Sequence, residues 1–368
     1  MKKPQKIPEE PNFPSGGNFS VAGAMDGYSG VLTLAGAGAL RFYGSAGSGL
    51  ATFNLGTNSG LLYTRDGGTV NLGAVAGGAN TTLRGAASSA VATVYVVGGN
   101  DVSTLFAGTI SNATKGSATT AIVKVGAGTW TLTGTNIYSG GTAVAGGTVL
   151  VNNAGGSGRG LGGIIVSNGA TLGGTGFITG PVTVTDGVLA PGSGGAGVLS
   201  LAGGLSMSDS ATVWFECGSN SDRVDVTGDL RLGGVLNVAG LTGFGAGAYT
   251  LFTYSGALTL GAVALGPMPS GFVGAISTNT AGQVRLAVTR IAQPCFVGAF
   301  AQGTNLVLRG SNGAATLSYS VLSWTNLDLP LAQWPALGSN KFQSDGAFWI
   351  TNPIDATAPQ RYFLIRIP

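Results

Sequence analysis

Along most of the chain, apolar and polar positions alternate in bursts only four to seven residues long, as in VLTL (31–34), TVNL (69–72), TWTL (129–132), TVLV (148–151), VTVT (182–185) and VLNV (235–238). Gly, Asn, Ser or Asp closes each burst. A period of two over so few residues is a strand with one buried face, and the closing residues are those that tolerate tight turns. No window of ten or more residues keeps a 3.6-residue period, because Gly and Thr interrupt each one. The pattern predicts an all-β fold.

Antiparallel hairpins would call for well-matched strands joined by repeated Asn-Gly or Asp-Gly turns. The chain instead repeats a local phrase, Gly-Thr or Gly-Ala-Thr followed by a short apolar run: GTWTL (128–132), GTAV (141–144), GTVLV (147–151) and GATL (169–172). Such units cannot bury their own faces, so successive copies must stack to make a core. The expectation over residues 17–290 is a right-handed parallel β-helix, a solenoid, with about 20 residues per coil and on the order of a dozen coils. Residues 1–16 read as a polar, Pro-rich tail with a basic start but no apolar segment of an export signal. Near residue 290 Gly thins out, and longer alternating runs appear, NLVLRG (305–310), ATLSYSVLSW (315–324), AFWITN (347–352) and YFLIRI (362–367). Residues 291–368 are therefore expected to form a small antiparallel β-sandwich-like domain.

The phrases GTWTL, NIYSGGT and GGTVLV within residues 125–192 resemble the autotransporter-associated β-strand repeat, which joins a Gly-Thr-x-x-Leu strand, an Asn-x-Tyr-x-Gly-Gly-Thr turn and a Gly-Gly-Thr-Leu strand. Residues 221–256 resemble the segment that closes such solenoids, and residues 17–120 are similar in style with more degraded repeats. The last 75 residues resemble a small C-terminal β-module of secreted proteins of verrucomicrobial type. The resemblance implies an extracellular or outer-surface passenger, part of a larger secreted protein, structural or adhesive and without catalytic activity. It carries no catalytic residues over, because the family is defined by a structural repeat.

Composition narrows the chemistry. Gly supplies 67 of 368 residues, without the three-residue period or the Pro content of collagen. Charged residues are only 8% of the chain, and its 17 basic residues are spread thinly, so no basic face and no nucleic-acid partner are expected. Histidine is absent, which removes Ser-His-Asp triads and histidine metal sites. No cofactor and no bound metal are expected. No apolar run approaches the ~18 residues of a membrane helix. Cys217 and Cys295 lack metal-type spacing and read as two thiols, with a mutual disulfide as the alternative.

Parallel solenoids also carry polysaccharide lyases and hydrolases, so the carboxylates bear on function. The one cluster is Glu216, Asp222, Asp225 and Asp229, with Arg223 among them. Paired carboxylates could serve glycoside hydrolysis; Asp beside Ser, Asn and Gly more often bonds its own backbone at a corner. GSGRGLGG (156–163) and GGTGFITG (173–180) read as corners, because no helix or Walker lysine follows. Tyr63, Trp130, Tyr138, Tyr254, Trp324, Trp334 and Trp349 could stack on sugars. The tryptophans are expected in cores, whereas Tyr138 in its NIYSGG turn is the better surface contact. The candidate contacts are thus Tyr138, Glu216, Asp222 and Asp225, with a cell-surface or extracellular polysaccharide as the partner. The two alternatives to a structural or adhesive passenger are a carbohydrate-binding accessory module and a polysaccharide lyase or hydrolase.

Overall fold

The computed structural model describes residues 12–13, 16–44, 46–87, 90–114, 117–153, 162–291, 293–315, 317–358 and 360–367. Most of the expected tail and most of GSGRGLGG lie outside the described residues. The chain divides into two compact units, one of residues 1–269 and 274–288, the other of residues 270–273 and 289–368. Among the described residues the helical content is a single 3-10 turn, Leu331–Gln333.

In the first unit, as far as Leu258–Leu265, strands pair in parallel with strands one coil further along the chain. One ladder climbs through Val31–Leu34, Ser48–Asn54, Gly68–Ala76, Thr93–Val97, Thr120–Lys124, Thr142–Val144, Ile164–Val166, Val182–Val184, Leu205–Met207, Leu230–Gly240 and Leu258–Leu265. A second takes Thr104–Phe106, Thr129–Leu132, Thr148–Val151, Thr171–Gly174, Val188–Pro191 and Thr212–Cys217. A third begins with Asn18–Val21, Ala39–Phe42, Leu61–Thr64, Thr82–Arg84 and Thr109–Ser111. Further along, the same kind of ladder runs from Phe177–Ile178 through Val198–Leu201 and Arg223–Val226 to Gly247–Tyr254. The unit is a β-solenoid, as the repeated phrase predicts.

In-register stacking turns the period of two into columns. Val70, Tyr95, Ile122, Thr142, Ile164, Val182, Leu205 and Leu230 are paired in succession, and all are buried. Each buried Val, Ile or Leu contributes about 1.5–3 kcal/mol relative to its exposed state, so a strand of three residues is held by its neighbours above and below. Corners are tied by Asn side chains. Asn136 Oδ1 accepts the Ile110 N–H at 2.9 Å, and Asn153 Oδ1 accepts the Phe177 N–H at 2.8 Å. At Gly174, φ is +112° and a Cβ would run into the Val151 carbonyl, so only glycine fits that corner. The stack closes where Gly247–Tyr254 turns to antiparallel pairing with Gln283–Arg290.

One inward position of the first ladder carries a lysine. Lys124 stands in a column between Val97 and Val144 and is buried, but its ammonium donates to the carbonyls of Val125, Gly126 and Gly146 at 2.7, 3.2 and 3.2 Å. Burial pushes its pKa below the ordinary lysine value, and Asp101 opposes that shift.

The second unit holds two three-stranded antiparallel sheets. Cys295–Gln302, Asn305–Ser311 and Phe348–Pro353 make one; Ala336–Lys341, Ser318–Trp324 and Tyr362–Arg366 make the other. Tyr319, Val321, Phe342 and Phe348 form its core, against Phe296, Leu337, Ile350, Phe363 and Ile365. Tyr319 and Phe342 stack with centroids 4.6 Å apart.

One expectation changes here, and another, two unpaired thiols, holds. Asn12–Phe13 pairs in parallel with Thr33 and Leu34, so the stretch read as a tail reaches the ladder before residue 17. Cys217 and Cys295 are both free, one buried and the other exposed.

Candidate functional site

Outward-facing residues form columns of their own, and one of them is shaped like a notch. Thr131, Leu150, Gly173 and Ala190 follow one another by register, and the pairing of Leu189 with Val213 brings Trp214 alongside Ala190. Small residues at Gly173 and Ala190 lower the surface between the Leu150 and Trp214 side chains. The resulting depression encloses about 320 Å³ and is bordered by Thr148, Thr171, Ser193 and Glu216, with Asp222 beneath. Trp214 is 49% exposed at the outward position between buried Val213 and Phe215, and Phe215 is fixed edge-on against Phe252 at 5.2 Å. An exposed indole at this position offers an apolar surface beside hydroxyls and a carboxylate, a combination that suits a sugar ring.

The carboxylate cluster is divided by the fold. Glu216 lies on the same outward face as Trp214, two residues on. Asp222 is buried, its Oδ1 accepting the Gly197 N–H and its Oδ2 the Glu216 N–H, both at 2.7 Å. Burial pushes its carboxyl up to about 6; the two N–H donors pull down and Glu216 adds to the rise. Asp225 belongs to a different ladder, where Arg223 grips it bidentately at 2.6 and 2.8 Å and the Thr253 hydroxyl donates at 2.7 Å. Partial burial alone would raise Asp225, but Arg223 and Thr253 together hold it below the usual carboxylate range. Asp229 caps a corner by accepting the Ala257 N–H at 2.8 Å. Among the described residues no three His, Cys, Asp or Glu side chains gather as a metal site would require.

Two of the expected contacts are corrected. Tyr138 is buried, not exposed: the Ile137 N–H pairs with the Ile110 carbonyl, so residues 136–138 run as extended chain, and alternation sends Ile137 out while Asn136 and Tyr138 point in. Its hydroxyl is closed by Thr142, and burial pushes it up to about 12. Asp222 is a clasp between backbone segments and offers no exposed oxygen to a surface partner. Of the aromatic candidates, Trp130 is core, with its indole N–H on the Val75 carbonyl at 3.0 Å. Trp334 is buried as expected, whereas Trp349, expected in a core, is 53% exposed because Phe348 takes the inward position beside it.

Trp214 and the notch escape sequence reasoning because Gly173, Ala190 and Trp214 are neighbours only once coil lengths are known. A second group is likewise assembled by the fold. Arg41, Tyr63 and Arg84 are paired in succession on one face, with Tyr43 and Arg65 beside them. The thinly spread basic residues therefore do converge at one place.

Comparison with known proteins agrees with this architecture. Residues 122–151 match the model of the passenger-associated-transport-repeat. The chain is 36% identical to the adhesin BmaC autotransporter of Brucella suis biovar 1 (strain 1330), over 74% of this chain and 10% of that protein. The chain thus spans about a tenth of the length of the curated relative it matches. With the β-solenoid and its stacked Gly-Thr strands in place, the chain is a repeat solenoid of the autotransporter-passenger type.

Proposed function

We propose that the chain is an extracellular adhesive passenger that holds a surface polysaccharide in the Trp214 notch, without chemical turnover. The observation that carries the reading is the half-exposed Trp214 indole beside Gly173 and Ala190, with hydroxyls and Glu216 at the rim of the depression. Repeat and relative support the passenger role and a surface or secreted location. Stacked coils present such a notch on a stiff support, which suits adhesion because little order is lost when a ligand docks.

One observation favours a hydrolase or lyase instead: Asp222, with its carboxyl pushed up to about 6, lies under the notch near Glu216. Against it, both Asp222 oxygens are engaged by backbone N–H groups. The deciding experiment incubates the purified chain with immobilised plant, algal and animal polysaccharides and scores both retention and new chain ends. Adhesion predicts retention that falls roughly 5- to 150-fold in Trp214→Ala, since stacking on an aromatic is worth about 1–3 kcal/mol. New chain ends that vanish in Asp222→Ala would establish the enzyme. Equal retention of wild type and Trp214→Ala would remove the notch from the account.

A further inference from the structure

Three consecutive coils each place one arginine on the same face. Ser20, Arg41, Tyr63, Arg84 and Ser111 are paired in succession along one outward column, and Arg65 joins from the neighbouring position. The guanidinium groups are held by aromatic rings. Arg41 and Arg65 lie 4.8 and 5.1 Å from the Tyr43 ring centroid, and Arg84 lies 4.7 Å from that of Tyr63. Ser20 Oγ fixes Arg41 further, accepting from Nε at 3.2 Å and Nη2 at 2.9 Å.

Stacking costs these arginines no charge. Asp66 approaches Arg65 at 3.7 Å with both side chains about half exposed, a weak pair. Among the described residues no carboxylate lies within ion-pair distance of Arg41 or Arg84. In a chain with 8% charged residues, three cations against one anion on a single face is a local excess. Ser20 takes Arg41 Nε and Nη2, and Arg84 Nε is buried, so the Nη ends of the guanidinium groups are what remain for an oxyanion such as a carboxylate or sulfate.

The column also has a repeat distance. Adjacent coils are ~4.8 Å apart, so Arg41 and Arg84, two steps apart, stand ~10 Å apart along the stack. That is the length of a disaccharide, the spacing at which an alternating acidic polysaccharide repeats its charge. Three arginines fall short of the clusters of about four to eight basic residues that anchor a protein to acidic membranes, and of the phosphate contacts that a duplex demands.

We infer that the face built from Ala39–Phe42, Leu61–Thr64 and Thr82–Arg84 is a binding track for a linear acidic polysaccharide, uronate or sulfated, lying along the stack. It deepens the adhesive reading by naming a ligand class, and it uses residues separate from the Trp214 notch.

The test passes the purified full chain over immobilised polygalacturonate, dextran sulfate and neutral dextran, with oligo-thymidylate and phosphatidylserine vesicles as competing ligands. Wild type is expected to bind both acidic polymers and to release them as salt rises. Arg41→Gln/Arg65→Gln/Arg84→Gln should weaken binding roughly tenfold or more, while Arg290→Gln/Arg361→Gln/Arg366→Gln, with the same loss of charge, should weaken it less than about twofold. Circular dichroism confirms that each variant is folded. If the triple variant loses its β spectrum, protection of Arg41 and Arg84 from phenylglyoxal by bound polymer, read by mass spectrometry on wild type, tests the same contact. Equal loss in both variants, no loss in the first, no protection, or tighter binding of oligo-thymidylate or vesicles would overturn the inference. Retention of neutral glycans through Trp214 is untouched by these substitutions, so failure here leaves the notch reading standing.

Discussion

Asp222 makes a sharp pH prediction. Its carboxyl titrates at about 6 in the folded chain against 3.8 in the absence of structure, a rise of about 2 units. A raised acid favours the protonated folded state: its contribution is fully present below about 3.8 and is lost as pH rises through about 6. At 1.36 kcal/mol per unit the swing is about 3 kcal/mol between pH 8 and pH 3.5. The residue is only 1% exposed, so solvent does not screen this away. The gain will not be visible in wild type alone, because Asp186, Asp225 and Asp355 are held low and their contributions are lost over the acid range.

The difference from Asp222→Asn isolates it. Asn keeps one acceptor oxygen but turns an amide toward the second of the Gly197 and Glu216 N–H donors, which costs about 1–3 kcal/mol of stability at pH 8. Urea unfolding of both proteins at pH 8, 6 and 4 gives two profiles. Wild type should gain on Asp222→Asn by a further ~2–3 kcal/mol on acidification, most of it between pH 6.5 and 4.5. Parallel profiles would refute the reasoning and show that the two N–H donors cancel the cost of burial.

Other predictions follow from single features. Trp130→Ala, which empties a core site against Phe106 and removes one of two side-chain donors to the Val75 carbonyl, should cost about 3–5 kcal/mol in urea unfolding. Lys124→Met keeps the length but leaves three carbonyls without their donor, so a loss of about 1–3 kcal/mol is expected, visible as a lower unfolding midpoint. Gly174→Ala, at positive φ and against the Val151 carbonyl, should destabilise by at least about 1–3 kcal/mol and speed amide exchange in Thr148–Val151 and Val188–Pro191.

What could be read from the sequence was whatever repeats locally. TWTL at 129–132 alternates, so its strand and its inward Trp130 and Leu132 follow from period two alone. The carboxylate cluster was also local and was found, but its geometry was not: Asp222 and Asp225, three residues apart, belong to different parts of a coil and face different partners. Tyr138 was misplaced because a Gly-Gly-containing phrase looks like an exposed turn, whereas its first half continues a ladder. The notch and the arginine track were invisible for one common reason. Their members are one coil apart, and coils vary: paired residues Ile164 and Val182 are separated by 18 positions, Leu230 and Leu258 by 28.

That variability is also what lets such a chain acquire binding surfaces. An inward residue must match the residues above and below it in a closed core, so Val166, Val184 and Met207 are confined to apolar types of similar size. An outward residue meets only its column neighbours and solvent. Whereas a Cβ at Gly173 would run into the Ala190 carbonyl, replacing Ala190 by a larger side chain would fill the notch without disturbing Leu189 on the opposite face of its strand. Because stability in a stacked repeat is close to a sum over neighbouring coils, such outward changes leave the ladder intact. Lengthening a coil at a corner then shifts which outward side chains share a column. Arg41, Arg65 and Arg84, 24 and 19 positions apart, face one direction because two unequal coils bring each strand back into register. Ligand specificity in this solenoid is therefore set by outward columns and corner lengths, while the inward columns and the Asn and Gly corners set the fold.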